Sequence, residues 1–286
     1  MTHREVLRHP DGKALALSIA AILTTRIVER QAASGFARIV LTGGGIGTAV
    51  LVAIAREPGR HAVDWARVEL WWGDERYLPS GDPDRNDTAA RSALLDHVAI
   101  NPQHVHAMQG PDLSTSPEAS AEHYADQLSA HATPEDHSDV PRFDVVLLGI
   151  GPDSHVASLF PEHLSLRVTD RSTAAVHGSP KPPPTRVTLT LPAINAASEV
   201  WVLASGAEKA EAVRLALDPA ADVFQVPAAG VAGRDRTLFL IDEPAAARLP
   251  LDLGRSDRLR STTSWPCSVP NPLDRGAQRS HPQLEP

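Results

Sequence analysis

The sequence predicts an α/β protein: a doubly wound, mostly parallel sheet with helices on both faces. Three observations carry that expectation. Short runs rich in Val, Ile, Leu and aromatic residues are apolar at consecutive positions, as strands covered on both faces must be. Helical segments separate most of these runs, which is the connection that parallel strands require. Of the 286 residues, 42% are hydrophobic and 22% charged, enough apolar material for a sizeable core.

In chain order, an Ala-rich amphipathic helix is expected from about Gly12 to Ala33. Strands follow at Arg38 to Thr42 (RIVLT), Arg67 to Trp72 (RVELWW), Phe143 to Leu148 (FDVVLL), Arg186 to Leu191 (RVTLTL), Val200 to Ala204 (VWVLA) and Thr237 to Ile241 (TLFLI). Helices are expected at Ile46 to Arg56, Asp87 to His97, Ser116 to His131 and Ala207 to Leu217. Ser179 to Thr185 (SPKPPPT) holds four prolines in seven residues and must be a stiff, extended loop. Residues 1–250 are thus expected to form a single α/β domain. After about Pro250, scattered Pro, Arg and Ser without periodicity predict a disordered tail over 251–286.

Composition excludes several function classes. The balance of 27 basic against 35 acidic residues gives a net charge of −8, with no Lys/Arg cluster interleaved with aromatics, so no nucleic-acid surface is expected. The single cysteine, Cys267, can form neither an internal disulfide nor a thiolate zinc site. No apolar run reaches the ~18 residues of a membrane span, and the first residues lack a signal peptide's apolar stretch, so the expected location is cytoplasmic. The chain is expected to act as a monomer or weak homo-oligomer.

Four segments could carry chemistry. Gly43, Gly44 and Gly45, in Leu41-Thr42-Gly43-Gly44-Gly45-Ile46-Gly47, lie where a strand opens into a helix, so backbone N–H groups and the helix dipole favour an anion such as a sugar phosphate. The dinucleotide pattern G-x-G-x-x-G fails because position 48 is Thr. Asp74 and Arg76 lie just beyond a strand's carboxyl end, where ligands of parallel sheets bind. Phe143 to Pro161 delivers a buried strand into a Gly-Pro turn and places His155 at the crevice rim, near a helix start, with Asp153 positioned to orient the ring. Lys181 and Arg186 flank the proline loop, which can hold two cations in place. His104 and His106, although spaced as H-x-H, lie in a loop without a third ligand type nearby and are expected to be solvated. No G-x-S-x-G, H-E-x-x-H or Walker sequence occurs.

Five motifs, in this order and spacing, resemble the 6-phosphogluconolactonase family: LTGGG, WWGDERYLPSGDPDRN, FDVVLLGIGPDSHVASLFP, SPKPPPTRVTLTLPAIN and GAEKAEAVRLAL. The resemblance runs from about residue 10 to residue 248. It implies a fold similar to glucosamine-6-phosphate deaminase and ribose-5-phosphate isomerase, the Rossmann-like sugar-phosphate isomerase/deaminase fold. It implies, too, hydrolysis of a phosphorylated lactone, 6-phosphoglucono-δ-lactone, in the pentose phosphate pathway, without an organic cofactor; no cofactor and no metal ligand is expected here. Deaminases of the same superfamily typically follow the histidine with Ala-Phe-Asn-Glu-Pro, whereas Val156-Ala157-Ser158-Leu159-Phe160-Pro161 follows it here. They also tend to carry Asp-Glu-Tyr in place of Asp74-Glu75-Arg76. A non-catalytic sugar-phosphate sensor is the other alternative, though it has no need of His155.

For such a reaction the residues suit His155 as the base, Asp153 as its orienter, Arg76 as an oxyanion or phosphate cation and Lys181 and Arg186 as the grip on phosphate, while by resemblance Asn86 matches the family's asparagine. Gly45-Ile46-Gly47 departs from the usual Gly-Gly-Ser-Thr-Pro loop, leaving phosphate contacts to backbone N–H groups with Thr42 or Thr48 as supplements. Ser154 replaces the usual glycine between the acid and the histidine. A positive φ there would strain it by ~1 kcal/mol or more.

Overall fold

The computed structural model describes residues 4–136, 138–251 and 253. Helix α1 (Gly12–Ser34) starts where the Asp11 side chain accepts a hydrogen bond from Ala14 N, and it stops at Gly35, whose φ of 79° suits a residue without Cβ. Six strands form the main sheet: β1 (Arg4–His9), β2 (Ala37–Leu41), β3 (Val68–Trp72), β5 (Val145–Gly149), β8 (Glu199–Ala204) and β9 (Arg236–Asp242). Their spatial order is β1-β9-β8-β5-β2-β3, and every neighbouring pair is parallel.

Alternation along each strand divides the core in two. Ile39, Leu41, Val145, Leu147, Trp201 and Leu203 face α1, α2 (Gly44–Arg56) and α3 (Asn86–Ala93). Val40, Val146, Leu148, Val200 and Val202 face α4 (Pro117–His131), α5 (Leu191–Asn195) and α6 (Ala210–Ala216). Strands with both faces covered are apolar throughout, which is why these runs carry so few polar positions.

A second, antiparallel sheet of order β4-β7-β6 comprises β4 (Asp74–Arg76), β6 (Thr173–Val176) and β7 (Arg186–Leu189). The predicted strand at Arg186 therefore belongs to this small sheet and not to the doubly wound one. The chain leaves the main sheet at Gly73, whose N–H still bonds Leu41 O at 3.1 Å while its carbonyl accepts from Leu189 N at 2.8 Å. Strand β1 has no sequence signal because an edge strand is half exposed, and only Val6 of its six residues is buried. Helix α3 ends earlier than predicted, since Leu94 leaves the helical region at φ −144°, ψ −50°. The segment from Ala207 opens as a short 3-10 turn before α6. No described helix is long and apolar enough to cross a membrane. The predicted tail lies outside the described residues except for 251 and 253.

Candidate active site

The carboxyl ends of β2, β5 and β8 open onto one cleft of about 580 Å³, as ligand sites of parallel sheets do. At the end of β2, Gly43 caps α2 and Gly44 adopts φ 78°. The first N–H groups of α2 have no partner within the helix, and Gly43, Gly44 and Gly45 all line the cleft. Thr42 Oγ1 accepts from Gly149 N at 3.1 Å, which ties this turn to the end of β5.

Beyond β5 the chain folds back on itself. Gly151 N donates to His155 O at 2.9 Å, and Ser154 N to Gly151 O at 2.9 Å. A Cβ at Gly151 would run into the His155 ring and the Asp153 carboxylate, so glycine is required for the turn to close. Ser154 is buried with φ 69°, the left-handed conformation that strains a residue with a side chain. No α-helix follows His155, contrary to the predicted helix start: Ser154, Ala157 and Glu162 all adopt positive φ, and Pro161 interrupts the segment.

His155 Nδ1 lies 2.6 Å from Asp153 Oδ1, so the carboxylate accepts a hydrogen bond from Nδ1–H, which keeps the proton on Nδ1 and leaves Nε2 as the ring's acceptor. Lys181 Nζ stands 3.4 Å from the same Asp153 oxygen and 3.5 Å from His155 Nδ1. Partial burial works to raise the Asp153 pKa, but the hydrogen bond with His155 and the charges of His155 and Lys181 outweigh it and hold the carboxyl far below its ordinary range.

The small sheet supplies the remaining charge. Arg76 on β4 pairs directly with Arg186 on β7, so both side chains project from one face, and both line the cleft. Arg186 Nη1 is 3.8 Å from Asp74 Oδ2, which also accepts from Ser158 Oγ at 2.6 Å. The rest of the Arg186 guanidinium donates to the carbonyls of Lys181, Pro182 and Pro183, clamping the proline loop. Burial lowers the Arg186 pKa, Asp74 raises it, and the facing charge of Arg76 lowers it again. Arg76 Nη1 donates to Asn86 Oδ1 at 3.0 Å and Asp84 O at 2.5 Å; among the described residues its buried Nε has no partner. Asn86 Nδ2 returns a hydrogen bond to Asp74 O at 2.8 Å.

Directly behind this face, Glu75 accepts from the N–H groups of Arg76, Asn86 and Asp87 at 2.8 to 2.9 Å and so caps α3. Burial pushes its carboxyl up to about 7, against the opposing pull of those N–H groups and of Arg85.

Gly43, Gly44, Gly45, Asp74, Arg76, Asn86, His155, Lys181 and Arg186 all line this cleft and Asp153 touches two that do, whereas Thr48, expected as a supplement to the glycine loop, does not line it. Ser205 and Lys209 were missed. Both follow β8, whose carboxyl end opens onto the same edge as β2 and β5, and that rule of strand ends could have found them. Burial and the nearby Lys181 depress the Lys209 ammonium. The expectation that His106 is solvated fails: only 6% exposed, it stacks on Trp71 at 3.9 Å between ring centroids, outside the cleft. Its neighbours come from distant positions, which spacing within a loop does not reveal.

The family model of glucosamine-6-phosphate isomerases/6-phosphogluconolactonase matches residues 10–240. A 6-phosphogluconolactonase of Streptomyces coelicolor is 54% identical over 251 residues, covering 87% of this chain and 96% of that protein. One of Mycobacterium tuberculosis is 46% identical over 243 residues, covering 84% and 96%. Among solved structures, the 6-phosphogluconolactonase of Trypanosoma brucei superposes with a TM-score of 0.75 at 28% identity, covering 87% of this chain and all of that one.

Proposed function

Since the chain belongs to the glucosamine-6-phosphate isomerase/6-phosphogluconolactonase family, we propose that it hydrolyses 6-phospho-D-glucono-1,5-lactone to 6-phospho-D-gluconate, the lactonase step of the oxidative pentose phosphate pathway. The observation that carries this reading is the His155–Asp153 pair, with its free Nε2 in a cleft that also holds Lys181, Lys209, Arg76 and Arg186. A δ-lactone is an activated ester, so one base and one water suffice. Neutral His155 accepts a proton at Nε2 from water as the water oxygen attacks the lactone carbonyl, while Asp153 keeps Nδ1 protonated and stabilises the imidazolium. The tetrahedral oxyanion is met by donors already in place, the N–H groups around Gly44 and Gly45 or the Arg76 guanidinium. On collapse, the bond from the carbonyl carbon to the ring oxygen breaks, and His155 returns its proton to that oxygen, which leaves as a hydroxyl.

Lys181 and Arg186 are the proposed phosphate cations, and the facing pair of Arg76 and Arg186 supports an anion between them. In a protein of net charge −8, such a cluster is a local exception made for a ligand. The test follows acid release from freshly prepared 6-phosphogluconolactone against the uncatalysed rate. Acceleration upholds the reading. Binding without acceleration would identify a sensor, and ammonia release from glucosamine 6-phosphate a deaminase.

A further inference from the structure

We infer that Glu69, His106 and His131 form a zinc site away from the catalytic cleft. Glu69 comes from β3, His106 from the segment whose N–H bonds Leu70 O at 2.9 Å, and His131 from the last turn of α4. Glu69 Oε1 lies 3.1 Å from His106 Nε2 and 3.5 Å from His131 Nε2, and the three ligand atoms are within 4.8 Å of one another. Tetrahedral zinc with bonds near 2.0–2.1 Å separates its ligand atoms by about 3.3 Å, so two of the three separations already fit. Two imidazoles and a carboxylate form a donor set that suits zinc, and three protein ligands leave a fourth position open to water.

The surroundings are those of outer-shell support. His131 Nδ1 contacts Gln127 O at 2.8 Å, which fixes the proton there and leaves Nε2 as the lone-pair donor. The second oxygen of Glu69 accepts from Arg38 Nε at 2.8 Å, so the carboxylate is held ionised and oriented while Oε1 turns to the histidines. Trp71 stacks on His106 with an interplanar angle of 14° and meets His131 edge-on, locking both rings. Gln127, on the same face of α4 one turn before His131, has a buried Oε1 without a hydrogen-bond partner among the described residues. Glu69 and His106 are buried, and His131 closes the site from the more exposed side. Zinc here would clip edge strand β3 to α4, a structural role independent of the lactonase reading.

The test uses tag-free, full-length protein stripped with a chelator, with zinc alone as the probe and a chromophoric chelator as competitor. One equivalent should bind, with Kd in the micromolar range or below, and cobalt should give the visible ligand-field band of a tetrahedral site. His131→Ala should weaken zinc binding at least ~100-fold while lactone hydrolysis stays within about twofold of wild type. Glu69→Gln should abolish the cobalt band, and His106→Gln provides an independent loss should one variant fold poorly. Unchanged zinc affinity in His131→Ala, or no saturable binding to wild type, would overturn the assignment.

Discussion

The two sheets meet at one cleft and contribute different things to it. The parallel sheet ends there in turns, and what those turns offer is backbone: the N–H groups of Gly43 to Gly45, and the fold-back at Gly151 that presents His155. The small antiparallel sheet offers side chains, with Asp74, Arg76 and Arg186 projecting from adjoining strands. The proposed base thus comes from the first sheet and the facing arginines from the second, with Lys209 after β8 a cleft cation that the parallel sheet delivers. Substitutions that affect the two separately are the way to break or sharpen that division.

The largest effect should come from the parallel-sheet side. His155→Ala is expected to lower kcat by about 10² to 10⁴ while leaving binding of the phosphorylated product within a few-fold, because the general base is lost and the cations remain. Steady-state kinetics and product titration read both; catalysis within a few-fold of wild type would remove His155 from the role. The cationic side should answer differently. Lys181→Ala is expected to raise KM for the phosphorylated lactone about 10- to 100-fold, the worth of a charge-assisted hydrogen bond, and to affect unphosphorylated gluconolactone much less. Arg186→Ala should do the same and also lower Tm, since three loop carbonyls lose their donor. Equal losses on both substrates would move these cations from phosphate recognition to the reacting carbonyl.

A smaller effect is expected behind the small sheet. Glu75 has a folded-state pKa of about 7 against an ordinary 4.5, so the fold binds its proton more tightly than the unfolded chain does. The stabilisation is full below about 4.5 and is lost as pH rises through about 7. Urea unfolding near pH 5 and near pH 8 should therefore show a fall in stability, on the order of 1–3 kcal/mol, that Glu75→Gln removes. A fall of equal size in the variant would assign it to other groups. The smallest effect is at the turn itself. Ser154→Gly relieves positive-φ strain but adds unfolded-state freedom of roughly 0.4–1 kcal/mol, so stability should change by less than about 1 kcal/mol, with KM the more sensitive readout. A loss above about 2 kcal/mol would show that the Ser154 hydroxyl makes a buried hydrogen bond.

How much of this was legible in the sequence follows the same division. Strands β2, β3, β5, β8 and β9 could be read because burial on both faces leaves unbroken apolar runs. Strands β4 and β6 could not, being short and, in β4, entirely charged. The glycine turn and His155 could be read because each directly follows such a run. Lys209 went unassigned because the charged segment after β8 looks like any solvated helix start. The partnership of Glu69, His106 and His131 spans 62 positions of chain and is created by packing of α4 over β3, which no local pattern records.

The pairing of Arg76 with Arg186 has a consequence for the protein at rest. Like charges set directly opposite on neighbouring strands repel, and Asp74 only partly offsets them. An anion bound between the two guanidiniums would offset that repulsion, so folding and binding are thermodynamically linked: such an anion also tightens the strands that carry them. Neutralising Arg76, which leaves the Arg186 clamp on the proline loop intact, would then relieve the repulsion at the cost of ligand affinity, the trade-off expected wherever a fold holds like charges together for its substrate.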